Sequence, residues 1–266
     1  SITKLWSQGA CSRLQKGFPM AEFDNDLQSI QEARTLATQA RDAQRKFLSA
    51  SQADVDRICA AMAQAAADAA VTLGKMATEE TGYGVPEHKT LKNLLSSQLL
   101  WEAIKDIPTV GVICNDPVKK TYDIAWPMGV VAALTPSTNP TSTTMYKTLI
   151  AVKARNAIII APHPFAAKCC AETIRIMAEA GERAGMPKGL VSCMTKVSLQ
   201  GTQELMKHKY VALILATGGS DMVRAAHSVG KPAYGVGPGN VPAGVGGGEQ
   251  SGRDPGRRPE PDREQR

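Results

Sequence analysis

Nowhere in the 266 residues does an apolar run approach the roughly 18 to 20 residues that a membrane-spanning helix requires, and the first residues lack the apolar core of a secretory signal. These absences predict a soluble, cytoplasmic protein with no membrane partner. Aromatics make up only 5% of the chain, too few for an aromatic-rich β-sandwich, whereas the plentiful Ala and Gly suit helices packed closely on a sheet. The six cysteines, at positions 11, 59, 114, 169, 170 and 193, include no C-x-x-C pair and no histidine at zinc-ligand spacing, so reduced thiols and no metal site are expected. Basic residues outnumber acidic ones by 31 to 25 but form no block, and nucleic acid is therefore not the expected partner.

The 43% hydrophobic content can bury a sizeable core. Residues 1–23 read as an N-terminal extension. Residues 1–20 have no acidic side chain and scatter Ile2, Leu5, Trp6, Leu14 and Phe18 among Lys4, Arg13 and Lys16, as either a short amphipathic docking helix or a loose segment before Met20. Helical spacing of Leu27, Ile30, Leu36 and Phe47 predicts a surface helix over 26–50. Ser51 and Asp54 open a second as a capping box, with Val55, Ile58, Cys59, Met62, Ala66 and Leu73 as its buried stripe and an end near Thr81-Gly82. Pro86 suits the first turn of a third, with Leu91, Leu94, Leu95, Leu99 and Trp101 as its apolar positions.

The period then changes. Segments 109–114 and 118–126, joined by Asn115-Asp116-Pro117, predict a β-hairpin. Strands over 130–134, 157–161, 190–194 and 211–216 alternate with helices over 143–155, 166–180, 199–207 and 220–228. Runs such as Ile158-Ile159-Ile160 and Leu213-Ile214-Leu215 indicate strands buried on both faces, as in a parallel sheet. The predicted fold is α/β: N-terminal helices and a hairpin, then a doubly wound, mostly parallel nucleotide-binding sheet occupying 24–242. From 243 to 266 the text is rich in Gly, Pro and charge and predicts a solvated tail. Because the pattern stops as a new strand begins, truncation or an out-of-frame end is also expected.

Ligands of open parallel sheets bind beyond the carboxyl ends of the strands. There Thr135-Pro136-Ser137-Thr138-Asn139-Pro140 forms a stiff turn in which the Asn139 amide serves either as a donor to an oxyanion or as an Asx cap of the next helix. Ala161-Pro162-His163-Pro164 is a second rigid exit, and His163 there reads as positional rather than catalytic. Thr217-Gly218-Gly219-Ser220 opens into a helix, as a phosphate turn or an ordinary tight turn. Gly235-Val236-Gly237-Pro238-Gly239-Asn240 is too Gly-rich for an ordinary strand and implies close backbone approach. Cys59, Cys114, Cys169, Cys170 and Cys193 read as small buried hydrophobes. Met145 and Tyr146 read as helix packing and Lys147 as a snorkelling cation.

Together the pieces T-P-S-T-N-P at 135–140, K-A-R-N-A-I-I-I-A-P-H-P at 153–164, A-T-G-G at 216–219, G-V-G-P-G-N at 235–240 and E-E-T-G-Y-G at 79–84 resemble the aldehyde dehydrogenase superfamily, and within it the CoA-acylating, acetaldehyde dehydrogenase-like branch. The resemblance implies that a cysteine attacks the aldehyde, hydride passes to NAD, and the acyl group is transferred to CoA. It implies Asn139 as the catalytic oxyanion donor; Thr135, Pro136, Ser137, Pro162 and His163 as walls of the cofactor site; Thr217, Gly218 and Gly219 under the pyrophosphate; and Gly239 near the nicotinamide. It also implies a small-molecule aldehyde as substrate and a homo-oligomer assembled through hairpin 109–126. Two departures stand out. No carboxylate lies in 235–239, which suits a thioester resolved by CoA rather than water. No cysteine follows Cys193, so the family's catalytic thiol is missing from this chain. The alternative is a non-catalytic nucleotide- or CoA-binding module.

Overall fold

The computed structural model describes residues 24–237. The expectations for residues 1–23, Gly239 and the tail from 243 lie outside the described residues, as does Cys11. No helix among the described residues is long and apolar enough to cross a membrane.

Helix α1 (Asn25–Phe47) starts at Asp24, whose carboxylate accepts from the backbone of Asp26. Its inner face is made mostly of alanine: Ala33, Ala37 and Ala40 are buried, and of the larger residues that carry its helical spacing Phe47 is buried and Leu36 packs against the core while Leu27 is exposed. Small side chains bring α1 close to its neighbours. A Cβ on Gly201, in helix α8 (Leu199–Lys207), would lie 1.8 Å from Ser29 Oγ. The Ser51–Asp54 capping box forms as expected and opens α2 (Gln52–Asp68). The helix then breaks at Ala69 and resumes as α3 (Ala70–Thr81), closed by Gly82 in the left-handed region at φ 69°. The sequence predicts one helix here, since no glycine or proline marks the break. Beyond the break α3 packs against α4 (Pro86–Leu94) so closely that a Cβ on Gly74 would meet Thr90 Oγ1 at 2.8 Å.

Helix α4 runs through a π-helical turn (Leu95–Leu99) into α5 (Leu100–Ile104), and it corrects the sequence reading. Leu91, Leu95 and Leu99 are 64%, 58% and 57% exposed, whereas Lys89, Asn93 and Ser97 are buried. The polar stripe can face inward because each group on it is satisfied. Lys89 Nζ donates to Thr138 O, Asn93 Nδ2 to Ala70 O and Ser97 Oγ to Asn93 O, while Asn93 Oδ1 accepts from Thr141 Oγ1.

Strands β1 (Gly111–Asp116) and β2 (Thr121–Ala125) form the expected antiparallel hairpin. Its turn lies later than predicted, over 117–120, because Asp116 Oδ1 accepts from the backbones of Val118 and Lys119. Cys114 on β1 is exposed, against the expectation of burial; Cys59, Cys169 and Cys170 are buried and Cys193 is half-buried.

Five strands build the main sheet: β3 (Val130–Thr135), β4 (Ala157–Pro162), β5 (Val191–Cys193), β6 (Val211–Thr217) and β7 (Ala233–Val236). All pairs are parallel, in the order β5-β4-β3-β6-β7. Helix α6 (Pro140–Lys153) links β3 to β4, α7 (Ala167–Arg183) links β4 to β5, and α8 links β5 to β6; α9 (Ser220–His227) links β6 to β7. Strands β3 and β4 are buried along their whole length, as their unbroken apolar runs predict. Of the Gly-rich segment, Gly235 and Val236 belong to β7 and pair with β6, against the reading that they form no ordinary strand, while residues 238–240 lie outside the described residues. The close approach is nonetheless present. A Cβ on Gly235 would lie 2.4 Å from Val223 Cγ1 and 2.7 Å from His227 Nε2 of α9.

Candidate functional site

From β3 the chain proceeds outward through β4 to β5 and then crosses back to β6 and β7, so the strand order reverses between β3 and β6. Connections diverge at such a switch point and leave a crevice at the carboxyl ends of the strands. A cleft of about 760 Å³ occupies that place. It is lined by Thr135, Pro136, Ser137 and Asn139 after β3, Pro162 and His163 after β4, and Thr217, Gly218 and Gly219 after β6. The structure thus brings together every site residue read from the sequence except Gly239, which lies outside the described residues. No aspartate, glutamate, lysine, arginine or cysteine lines the cleft among the described residues.

Asn139 occupies the position before the first turn of α6, yet its side chain does not cap that helix. Its Oδ1 instead accepts from Lys92 Nζ at 2.9 Å. An ammonium can only donate, so the atom facing it is the oxygen, and the Asn139 NH₂ remains as the donor group. Lys89, one turn earlier, donates to Thr138 O at 2.9 Å, so one lysine of α4 holds the Thr138 backbone and the other the Asn139 side chain. Burial, and then the nearby Lys92 charge, lowers the Lys89 pKa from its ordinary value.

Beneath the switch point, Lys147 Nζ donates to Leu134 O at 2.7 Å and Leu215 O at 2.9 Å. Lys147 is therefore not the snorkelling cation expected: it is 1% exposed, and burial carries its pKa down to about 7. Tyr146 Oη lies 3.3 Å from Thr217 Oγ1, also joining α6 to the end of β6. After β4, the fixed backbones of Pro162 and Pro164 flank His163, whose N–H donates to Thr135 O at 3.1 Å. The turn leads into α7, where Glu80 accepts from the backbones of Lys168 and Cys169 at 2.8 and 2.7 Å. Glu80 belongs to the E-E-T-G-Y-G segment, so that motif serves to seat α7. Opposite, Glu32 of α1 accepts from Thr195 N, Thr195 Oγ1 and Lys196 N, which pins the loop whose next residues, Val197 to Leu199, also line the cleft.

Sequence reasoning missed Lys89, Lys92 and Glu32. For Lys89 a signal existed: Lys89, Asn93 and Ser97 recur every fourth residue, a polar stripe as regular as the leucine stripe opposite. Lys92 and Glu32 act over long separations in the chain and leave no local pattern.

Cys170 lies under the cleft floor, its Sγ 3.4 Å from Thr144 Oγ1 and 3.6 Å from Thr135 Oγ1. Its neighbour Cys170 and burial push the Cys169 thiol well up, and burial does the same to Cys193 and takes Cys59 to about 12. Cys59, Cys169 and Cys193 are therefore poor nucleophiles, whereas the hydrogen bond from Cys169, with those of Thr144 and Thr135, lowers the Cys170 thiol against its burial.

A family profile described as Aldehyde dehydrogenase family matches residues 23–233. The chain is 44% identical over 214 residues to the bifunctional aldehyde-alcohol dehydrogenase of Escherichia coli K12, a match covering 80% of this chain and 24% of that protein. An acetylating aldehyde dehydrogenase from Geobacillus thermoglucosidasius superposes with a TM-score of 0.81 at 56% identity, over 82% of this chain and 48% of that one. A propionaldehyde dehydrogenase from Rhodopseudomonas palustris, solved with bound CoA and an acylated cysteine, gives 0.66 at 30% identity, over 76% and 46%. The chain therefore spans about a quarter of the curated relative's length and under half that of the two solved proteins.

Proposed function

Since this chain belongs to the aldehyde dehydrogenase family, we propose that it forms the cofactor-binding part of a CoA-acylating, NAD-dependent aldehyde dehydrogenase, converting an aldehyde, CoA and NAD to an acyl-CoA and NADH. The observation that carries this reading is the convergence of three strand exits and the Asn139 amide on one cleft at the switch point.

Gly219 tests whether a dinucleotide suits the cleft. Its φ of −65° needs no glycine, and a Cβ added there meets nothing within 4 Å. Neither backbone conformation nor packing within the described chain accounts for the missing side chain, whereas a phosphate approaching the first turn of α9 does. The residues present fit the group. When bound, it would supply the hydride acceptor. Thr217, Gly218 and Gly219 would hold its pyrophosphate, Thr135, Pro136, Ser137, Pro162 and His163 would bound its adenosine, and Gly239, beyond the described residues, would approach the nicotinamide. Asn139, with Oδ1 held by Lys92, would turn its N–H₂ toward an oxygen that gains negative charge as a thiol adds to the aldehyde. That thiol is proposed to come from outside this chain.

A second reading, a nucleotide- or CoA-binding module without catalysis, is favoured by the absence of any cysteine lining the cleft among the described residues. Binding and turnover separate the two. NADH titration followed by fluorescence should show saturable binding displaced by CoA, and Gly219→Val should fold normally yet weaken NADH about tenfold or more, as a lost phosphate contact would. Unchanged affinity in a folded Gly219→Val chain would remove the pyrophosphate turn from the proposal, and no binding of either ligand by the wild-type chain would remove the reading itself.

A further inference from the structure

Helix α1 runs against the strands of the main sheet. Its Glu32 accepts from Thr195, just beyond the end of β5, while Gln39 Cβ would lie 3.7 Å from a Cβ on Gly189, just before that strand. Further along, Gln44 Nε2 donates to Arg155 O, before β4 begins. The helix therefore starts on the carboxyl side of the sheet, where the cleft opens. Asn25, seven residues before Glu32, stands about 10 Å further out along the helix axis. Ser29 packs against Gly201, which lies between Ser198 and Thr202, and both of those line the cleft. Leu199 on the cleft wall and Leu27 in the first turn of α1 are both exposed. Residues 1–23 thus join the fold at the rim of the cleft.

Charge is a second, independent observation. No lysine or arginine lines the cleft among the described residues, so a pyrophosphate there would meet backbone N–H groups and the start of α9 but no described side-chain ammonium or guanidinium. Residues 1–20 carry Lys4, Arg13 and Lys16 and no acidic side chain, the first being Glu22. Among them stand Ile2, Leu5, Trp6, Leu14 and Phe18, apolar groups suited to cover Leu27 and Leu199. Twenty residues reach up to about 65 Å when extended, ample to cross the mouth of a cleft of about 760 Å³.

We propose that residues 1–20 close over the mouth of the cleft when a nucleotide is bound, with Lys4, Arg13 and Lys16 facing its phosphates and the apolar side chains covering the rim. The proposal rests on the reading of the cleft as a nucleotide site and names the part of this chain that brings positive charge to it.

The test uses NADH as the probe and three full-length chains: wild type, the Lys4→Gln, Arg13→Gln, Lys16→Gln triple variant, and the Leu5→Ser, Trp6→Ser double variant. At low ionic strength the triple variant should bind NADH about tenfold more weakly than wild type, the scale of three exposed charge contacts together. Added salt should erase that difference, because exposed charges are screened. The double variant should also bind more weakly, and there salt should not close the gap. Saturating NADH should slow tryptic cleavage of wild type after Arg13 and Lys16, followed by mass spectrometry. Wild-type affinity in the triple variant at low salt, or cleavage at those two sites that NADH leaves unchanged or accelerates, would overturn the proposal and leave the nucleotide reading standing. If wild type binds no NADH, that reading falls and takes the proposal with it.

Discussion

Lys147 donates to the carbonyls of Leu134 and Leu215, one from each strand flanking the switch point, and so closes the floor on which the cleft stands. Even a neutral amine keeps two N–H groups, one for each carbonyl, which is how the side chain tolerates burial that lowers its pKa to about 7. The consequence for stability has a definite sign. A lysine in the unfolded chain titrates near 10.4, so between about pH 7 and 8.5 the unfolded state holds a proton that the folded state has released, and stability rises with pH. Denaturant unfolding should show a gain of about 1 kcal/mol across this window in wild type. In Lys147→Met the gain should be absent or much reduced. Toward and above about pH 8.5 the raised thiols of Cys59, Cys169 and Cys193 oppose it, because the unfolded thiols ionise first. A wild-type stability flat from pH 7 to 8.5 would show that Lys147 stays charged where it is buried. Asn139 illustrates the same dependence on distant partners: its neighbours in sequence permit a cap, and Lys92, on another helix, turns it into a donor.

At the scale of the element, α4 shows that an amphipathic helix has two candidate inner faces. Leu91, with Leu95 and Leu99 on the turn that follows, is exposed while Lys89, Asn93 and Ser97 are buried, since hydrogen bonds to Thr138, Ala70 and Thr141 satisfy the buried groups. In the β1–β2 hairpin nearly every residue is exposed, including Val112, Tyr122 and Ile124, and Trp126 just beyond it. An isolated two-stranded ribbon is marginal in water, and an apolar ribbon of this kind calls for a covering partner. The proposed homo-oligomer would supply one from a second subunit. Sedimentation at high micromolar concentration should show association, and Ile124→Asp should return the chain to monomer without changing its helical content. A wild-type monomer whose ribbon nevertheless resists proteolysis would count against assembly through this element.

For the molecule as a whole, binding and chemistry are expected to separate. The oxyanion donor matters only once a thiol has added to the aldehyde, and removing such a donor costs about 10²- to 10³-fold in rate, whereas removing the nucleophile removes the covalent route. Mixing this chain with acetaldehyde, CoA and NAD should therefore yield no NADH, even where NADH titration shows the proposed nucleotide binding. Turnover abolished by the Cys169→Ala, Cys170→Ala double variant would show that the buried pair is reactive after all, and turnover that the variant leaves intact would locate the nucleophile elsewhere. The sequence by itself determined the fold class, the succession of strands and helices from β3 to α9, and the cleft-lining residues after β3, β4 and β6. Those features are written locally: unbroken apolar runs specify strands buried on both faces, and the turn chemistry of T-P-S-T-N-P, A-P-H-P and A-T-G-G marks where each strand exits. Tertiary structure alone decided the inward face of α4, the alanine face of α1, the inclusion of residues 233–236 in the sheet, and the settings of Lys92, Lys147 and Glu32. Each of these depends on an approach between segments distant in the chain, such as Gly74 to Thr90 or Gly201 to Ser29, or on a partner that satisfies a buried polar group. Outside α4, whose polar stripe is periodic but does not say which face turns inward, neither leaves a period or a turn signal in the residues on which it acts.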